Sequence, residues 1–209
     1  MVWQLTVAAV IGYLLGSIPG GYVMGRLTRG IDVRDYGSGK TGATNALRTL
    51  RIWAVLAVLV IDLGKSAAAV SIARALSDDA WAQALAGMGA VAGHVWPLWL
   101  GFRGGRGVSA AYGALLAMNP LASLALLPVA VLVIAVTRYM SLMSVSMAPI
   151  AAALFLALAV AGVLPYAYAG FAIVAAVLIV ALHHDNIRRL LSGTERKIGQ
   201  KQLQGTGGP

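Results

Sequence analysis

The chain of 209 residues contains no cysteine, and its 7 Asp and Glu are outnumbered by 16 Lys and Arg. Without a thiol there is no disulfide, no thiolate zinc site and no cysteine nucleophile. The acids that do occur are scattered, and no H-E-x-x-H, carboxylate cluster or G-x-S-x-G elbow is present. None of the three histidines has an Asp five residues on, because Trp99, Arg188 and Arg189 occupy those places. These absences argue against metal catalysis and a Ser-His-Asp triad. Charge of either sign is also scarce, at 11% of residues, where an ordinary globular chain has about 25%.

What fills the chain is apolar: 59% hydrophobic residues and a mean hydropathy of +0.81. Runs without Asp, Glu, Lys or Arg cover 1–25, 80–102, 107–137 and 139–184. Each is long enough to cross a bilayer core, which takes about 20 residues, and the last two are long enough for two passes. Residues 1–25 have no basic leader and no small-residue cleavage pattern, so they read as a retained span. The fold class expected is an all-α integral membrane protein of one domain over 1–209, with 203–209 a frayed tail. Seven helices are expected near 3–25, 52–75, 80–102, 108–118 (short), 121–137, 141–162 and 166–184. With the N-terminus outside and the C-terminus cytoplasmic, every Lys and Arg except Lys65 and Arg74 falls on the inner side, as the positive-inside rule requires; five spans with two re-entrant segments satisfy the same count. The net charge of +9 thus belongs to inner loops that suit lipid headgroups and phosphorylated substrates, and it does not describe a nucleic-acid face.

Three inner stretches carry chemistry. The first, GSGKTGATN at 37–45, resembles a nucleotide P-loop, but the glycine that motif needs at position 34 is Arg34 and no strand precedes it. An anion cradle survives the rejection. Gly37, Gly39 and Gly42 let amides turn toward a ligand, Ser38, Thr41, Thr44 and Asn45 add donors, Lys40 and Arg48 add charge, and 43–50 reads as a helix start. The second stretch, 93–113, places Gly104, Gly105 and Gly107 around Arg106 just before an apolar helix, a second anion site on the same side. The third, HHDNIRRLLSGTERKIG at 183–199, puts His183, Asn186 and Arg189 on one face if the last helix runs on. Glu195 is placed to pair with Arg189 or to cap the turn at Ser192–Gly193. Elsewhere, Asp62 and Lys65, three apart in the second span, are expected to neutralise each other, and Ser141, Ser144 and Ser146 open the sixth span as caps or pocket lining. His94, inside the third span, is expected to be a hydrogen-bonded core residue.

In order and separation these stretches resemble the bacterial acyl-phosphate:glycerol-3-phosphate acyltransferase family over residues 12–198. The matching positions are Gly37-Ser38-Gly39, Gly42-Ala43-Thr44-Asn45 and Arg48; Gly93-His94, Pro97, Phe102, Gly104-Gly105 and Gly107-Val108; and His183, Asn186, Arg189, Gly193 and Glu195. Lys40 departs from the family's usual Asn. Arg106 departs from its usual Lys, exchanging a compact ammonium for a planar fork. The resemblance implies acyl transfer from acyl phosphate to the 1-hydroxyl of glycerol-3-phosphate, releasing lysophosphatidic acid and inorganic phosphate without cofactor or metal. It implies catalytic roles for Ser38, Arg48, Arg106, His183 and Asn186. Substrate contacts are implied for Gly37, Gly39, Gly42, Thr44, Asn45, Gly104, Gly105, Ser141, Arg189 and Glu195. It further implies a cytoplasmic-face site in the bacterial inner membrane, membrane lipids as partners and functional coupling to the enzyme that makes acyl phosphate. A non-catalytic anion transporter, or acyl transfer from acyl-CoA or acyl carrier protein, are the alternatives.

Overall fold

The structure, a computed structural model, describes residues 2–200. Lys201 and the expected tail at 203–209 lie outside the described residues. Every regular element among the described residues is helical: α1 (Val2–Gly16), α2 (Gly20–Arg29), α3 (Ala43–Ala46), α4 (Ile52–Leu76), α5 (Ala80–Val95), α6 (Val108–Met118), α7 (Pro120–Ala125), α8 (Leu127–Thr137), α9 (Met140–Val160), α10 (Tyr166–Leu182) and α11 (His184–Leu191).

All seven expected apolar segments are helical, with breaks and shortened ends that trace mainly to proline. The first is interrupted at Ser17–Pro19, where Pro19 has no N–H to continue the ladder. The third stops at Val95, not 102; Pro97 starts a short 3-10 turn over Leu98–Leu100. The fifth is broken at Leu126, with Pro128 in the first turn of α8. The last bends by 60° between α10 and α11, so the third motif does not continue the span. By length and composition four stretches could cross a membrane: Val2–Arg29, Ile52–Leu76, Pro120–Thr137 and Met140–Val160. The bent pair α10–α11 makes a fifth. With 16 and 11 residues, α5 and α6 are shorter than a hydrocarbon core of about 30 Å demands at about 1.5 Å per residue.

The bundle centres on α5, which packs against α1, α4, α6 and α10. Along α1 and α5 the backbones touch directly. A Cβ added to Gly12 or Gly16 would collide with the Ala86 or Ala90 carbonyl, and one added to Gly89 or Gly93 with that of Ala9 or Tyr13. Small residues at such spacing let helices approach closely where no hydrophobic drive exists between them. Phe155, Phe171, Tyr168 and Met118 fill the wider space among α5, α6, α9 and α10. At the end of the bundle where α4 runs into α5, Arg74 donates to Gln83 Oε1 (3.1 Å) and to the Ala117 carbonyl (2.6 Å), and Tyr168 donates to the same Gln83 oxygen. At the opposite end the segments 30–51, 96–107, 138–139 and 183–200 gather, bringing the three motifs to one face.

Candidate active site

The first motif loop is shaped before any ligand arrives. Asp32 accepts from the Arg34 amide (2.9 Å) and from its guanidinium (2.7 Å to Nη2), so Arg34 holds the Asp32 carboxyl below the usual carboxylate range. The same guanidinium reaches across to the Leu100 carbonyl at 3.1 Å, fastening the first loop to the second. Asn45 organises the turn from inside. Its Nδ2 donates to the carbonyls of Val33 (2.7 Å), Lys40 (2.8 Å) and Tyr36 (3.1 Å), and its Oδ1 accepts the Ser38 amide at 2.8 Å.

Asn45 therefore builds the cradle, where the sequence suggested a contact to substrate. Neither it nor Thr44 caps α3; the N-cap is Gly42, without a side-chain bond, and α3 ends after four residues instead of reaching 50. Gly37 adopts φ +62°, and a Cβ there would strike Asn45 Oδ1 and crowd the Arg48 side chain at 3.0 Å. Only glycine lets the loop lie under Arg48. Ser38 is half-buried at the loop's crest, with its hydroxyl free of hydrogen bonds among the described residues, and Thr44 is exposed.

In the second motif the Gly104 and Gly105 amides donate to the carbonyls of Val95 (3.1 Å) and His94 (3.0 Å), folding 103–107 back onto the end of α5. Arg106 follows, with Nε buried and unpaired. In the third motif His183 caps α10 and is buried; its Nδ1 lies 2.7 Å from the Ile179 carbonyl. A carbonyl only accepts, so Nδ1 carries the hydrogen and neutral His183 presents the Nε2 lone pair. Glu195 comes back over α11 to accept from Asn186 Nδ2 and Arg189 Nε, both at 2.7 Å. Ser141, in the first turn of α9, lies against the same carboxylate. Among these serines, Ser144 and Ser146 donate back to the Met140 and Leu142 carbonyls, and none serves as an N-cap.

These parts share one electrostatic neighbourhood. Burial lowers the Arg48 pKa, and Arg196 and Arg189 push it the same way while Glu195 opposes. Burial likewise lowers that of Arg106, with Arg189 and Arg48 adding to the effect. Although burial raises the Glu195 pKa, the hydrogen bonds from Arg189 and Asn186 bring it below its ordinary value. Four guanidiniums, those of Arg48, Arg106, Arg189 and Arg196, thus share the neighbourhood of two carboxylates, Glu195 and Asp185, an excess of positive charge that an anion would relieve. The buried atoms without partners include Arg106 Nε, Ser141 Oγ and Asn186 Oδ1, one from each of three elements at this face. Unmet hydrogen-bonding groups so concentrated mark a polar ligand's place. Among the described residues no group of His, Cys, Asp and Glu could hold a metal.

Sequence reasoning gave no role to Arg34 or Arg196, and it marked Arg138 only as part of the stretch Thr137-Arg138-Tyr139, which leads to Ser141 and resembles the family. Arg138 is a non-glycine residue at φ +61° that donates from Nη2 to the Ile198 carbonyl (2.7 Å) while its own carbonyl accepts the Ile198 amide (2.8 Å). That clasp ties the segment carrying Glu195 to the α8–α9 junction. The left-handed backbone that makes the clasp possible is not visible in the sequence.

The sequence profile of the glycerol-3-phosphate acyltransferase family matches residues 6–193. A relative from Synechococcus sp. (strain JA-3-3Ab) named glycerol-3-phosphate acyltransferase is 48% identical over 197 residues, covering 94% of this chain and 95% of the relative. One of the same name from Parasynechococcus marenigrum (strain WH8102) is 46% identical over 191 residues, covering 91% and 88%. The crystal structure of PlsY (YgiH), an integral membrane glycerol 3-phosphate acyltransferase, in its glycerol 3-phosphate form superposes with a TM-score of 0.84 at 36% identity, covering 93% of this chain and 96% of that one. Its lysophosphatidic acid form superposes with a TM-score of 0.83. A match of this extent in both sequence and fold leaves one conclusion: the chain belongs to the glycerol-3-phosphate acyltransferase family.

Proposed function

We propose that the protein transfers a fatty acyl group from acyl phosphate to the 1-hydroxyl of glycerol-3-phosphate, giving lysophosphatidic acid and inorganic phosphate. The reading rests above all on the meeting of Arg48, Arg106 and Arg189 beside the unpaired Arg106 Nε, Ser141 Oγ and Asn186 Oδ1. Two phosphate-bearing substrates suit such a surplus of donors, and an apolar bundle beside it suits an acyl chain. PlsY, with its glycerol 3-phosphate and lysophosphatidic acid forms, supports the same substrate and product here.

In this reading Arg48, Arg106 and the 37–42 amides hold the phosphates, with Gly104 and Gly105 giving Arg106 its approach and Ser38 orienting the acceptor. The hydroxyl oxygen attacks the acyl carbon, the bond from that carbon to the phosphate oxygen breaks, and the departing phosphate takes the hydroxyl proton. His183 Nε2 accepts a hydrogen bond from the acceptor and fixes its direction, with Asn186 and Glu195 holding the surrounding frame. Acyl phosphate is already activated, so alignment and charge stabilisation supply the acceleration.

The protein would sit as seven spans in the bacterial cytoplasmic membrane, N-terminus out, with this face toward the cytoplasm; the gathering of the basic segments at one end supports that sidedness. It would act without cofactor and draw its donor from the enzyme that makes acyl phosphate. Purified protein given glycerol-3-phosphate with acyl phosphate, acyl-CoA or acyl carrier protein thioester tests the donor; turnover with only a thioester would overturn it. Arg48→Ala and His183→Ala should each lower transfer by about 100-fold or more, and near-full activity in folded variants would overturn the site assignment.

A further inference from the structure

Behind the arginine cluster lies a set of buried ionisable groups that this chemistry does not use. Asp62 and Lys65 on α4 and His94 in the last turn of α5 are 0%, 7% and 5% exposed. Lys65 Nζ stands 2.8 Å from the Ile18 carbonyl, 2.9 Å from Asp62 Oδ1 and 3.0 Å from His94 Nδ1. An ammonium has three N–H bonds and no lone pair, and here it faces three acceptors. The Ile18 carbonyl is free for this because the chain breaks at Pro19 between α1 and α2. His94 Nδ1 also lies 3.4 Å from Asp62 Oδ1, so the three side chains close a triangle. Toward an ammonium Nδ1 can only accept, which puts the ring's hydrogen on Nε2. That nitrogen lies directly beneath Gly105, where any Cβ would collide with it.

The His94 carbonyl also takes the Gly105 amide, so both the ring and the backbone of His94 support the strand of loop that ends in Arg106. We infer that Asp62, Lys65 and His94 form a positioning network for Arg106: Lys65, held by Asp62 and the Ile18 carbonyl, fixes the His94 ring, and the ring is the floor on which Gly104 and Gly105 set the guanidinium. The inference rests on the reading of Arg106 as a phosphate-holding residue. Asp62 and Lys65 cancel in charge, so the network adds orientation to the site without adding field. A pair that served only to neutralise charge within a helix would be replaceable by uncharged residues of similar shape. A positioning network would not be.

The test compares Asp62→Asn/Lys65→Met, His94→Ala and His94→Asn with the parent chain, reading KM for glycerol-3-phosphate, kcat, melting temperature and amide hydrogen exchange over 103–107. The double variant is expected to melt close to the parent, to exchange faster over 103–107 and to raise KM for glycerol-3-phosphate on the order of tenfold. His94→Asn, whose amide can still meet Lys65, is expected to recover part of what His94→Ala loses. Parental exchange and parental KM in the double variant would overturn the inference, as would faster exchange with parental KM. If the double variant does not fold, equal KM and exchange in His94→Asn and His94→Ala overturn it instead. Arg106→Ala separates the two ideas: a parental KM there overturns the phosphate reading, and exchange over 103–107 then decides the coupling alone.

Discussion

The side of the bundle built from α1, α4, α5 and α6 and the side built from α7, α8 and α9 pack by opposite means. On the first, glycine and alanine bring backbones into contact: α1 and α5 interlock through Gly12, Gly16, Gly89 and Gly93, and Gly113 of α6 lies on the Leu63 carbonyl of α4. On the second, α8 buries none of its residues and packs chiefly on α7 and α9. The motif loops follow the division. The first two motifs hang from the tight side, whose helices cannot shift without collision. Ser141 and the strap bearing Glu195 depend on the loose side through the Arg138–Ile198 clasp. Precision at a membrane site can therefore come from helices that present almost no side chain at all.

Gly12→Leu should break the comparison at its strongest point. The new side chain meets the Ala86 backbone, which cannot move aside, and the loss should exceed about 3 kcal/mol, seen as failure to give a monodisperse, cooperatively melting protein in detergent. Asn45→Ala should spare the bundle and spoil the cradle. It leaves the Lys40 carbonyl and the Ser38 amide without their partner, so about 1–3 kcal/mol of stability and most acyl transfer should go, with the helical circular dichroism spectrum unchanged.

Arg138→Ala sharpens the other half: one clasp bond is removed, worth about 1 kcal/mol, and exchange over 192–198 should rise while that over 37–45 stays parental. Glu195 supplies a pH signature. Its carboxyl sits below the ordinary value near 4.5 in the folded protein, so its contribution is complete above that value and is lost as pH falls through the folded one. Glu195→Gln should accordingly lose less stability than the parent on acidification below about pH 4.5 in thermal melts. Smallest of all, Leu132→Ala on α8, where Leu132 is 61% exposed, should change stability by less than about 0.5 kcal/mol. A larger loss would mean that α8 packs against something the bundle itself does not supply.

Much of the site was legible because its residues are chemically unusual in so apolar a chain. Gly37, Ser38, Arg48, Arg106, His183 and Arg189 stand out for that reason, and the structure gathers them at one face. The Asp62–Lys65 pair was legible for the same reason, since two charges within a span must answer to each other. His94 was expected to be a hydrogen-bonded core residue, and it is one; its pairing with Lys65 was not legible, because that depends on the register of α4 against α5 and no local pattern encodes it. Helix ends were misjudged where hydropathy ran on past a breaker. Pro19, Pro97 and Pro128 each lie inside a run that stays apolar, and transfer energy alone does not register a missing N–H. The role of Asn45 was misjudged because an amide can serve a ligand or a loop equally well, and only the positions of the surrounding carbonyls decide.

Glu195 reaches the site from beyond the last apolar helix, after every other element is in place. During synthesis the arginines of the first two motifs are therefore made long before the carboxylate that organises Arg189 and Asn186. The face that carries the three motifs can take its final shape only once Glu195 has been made, so premature termination anywhere upstream of Glu195 leaves the site unfinished.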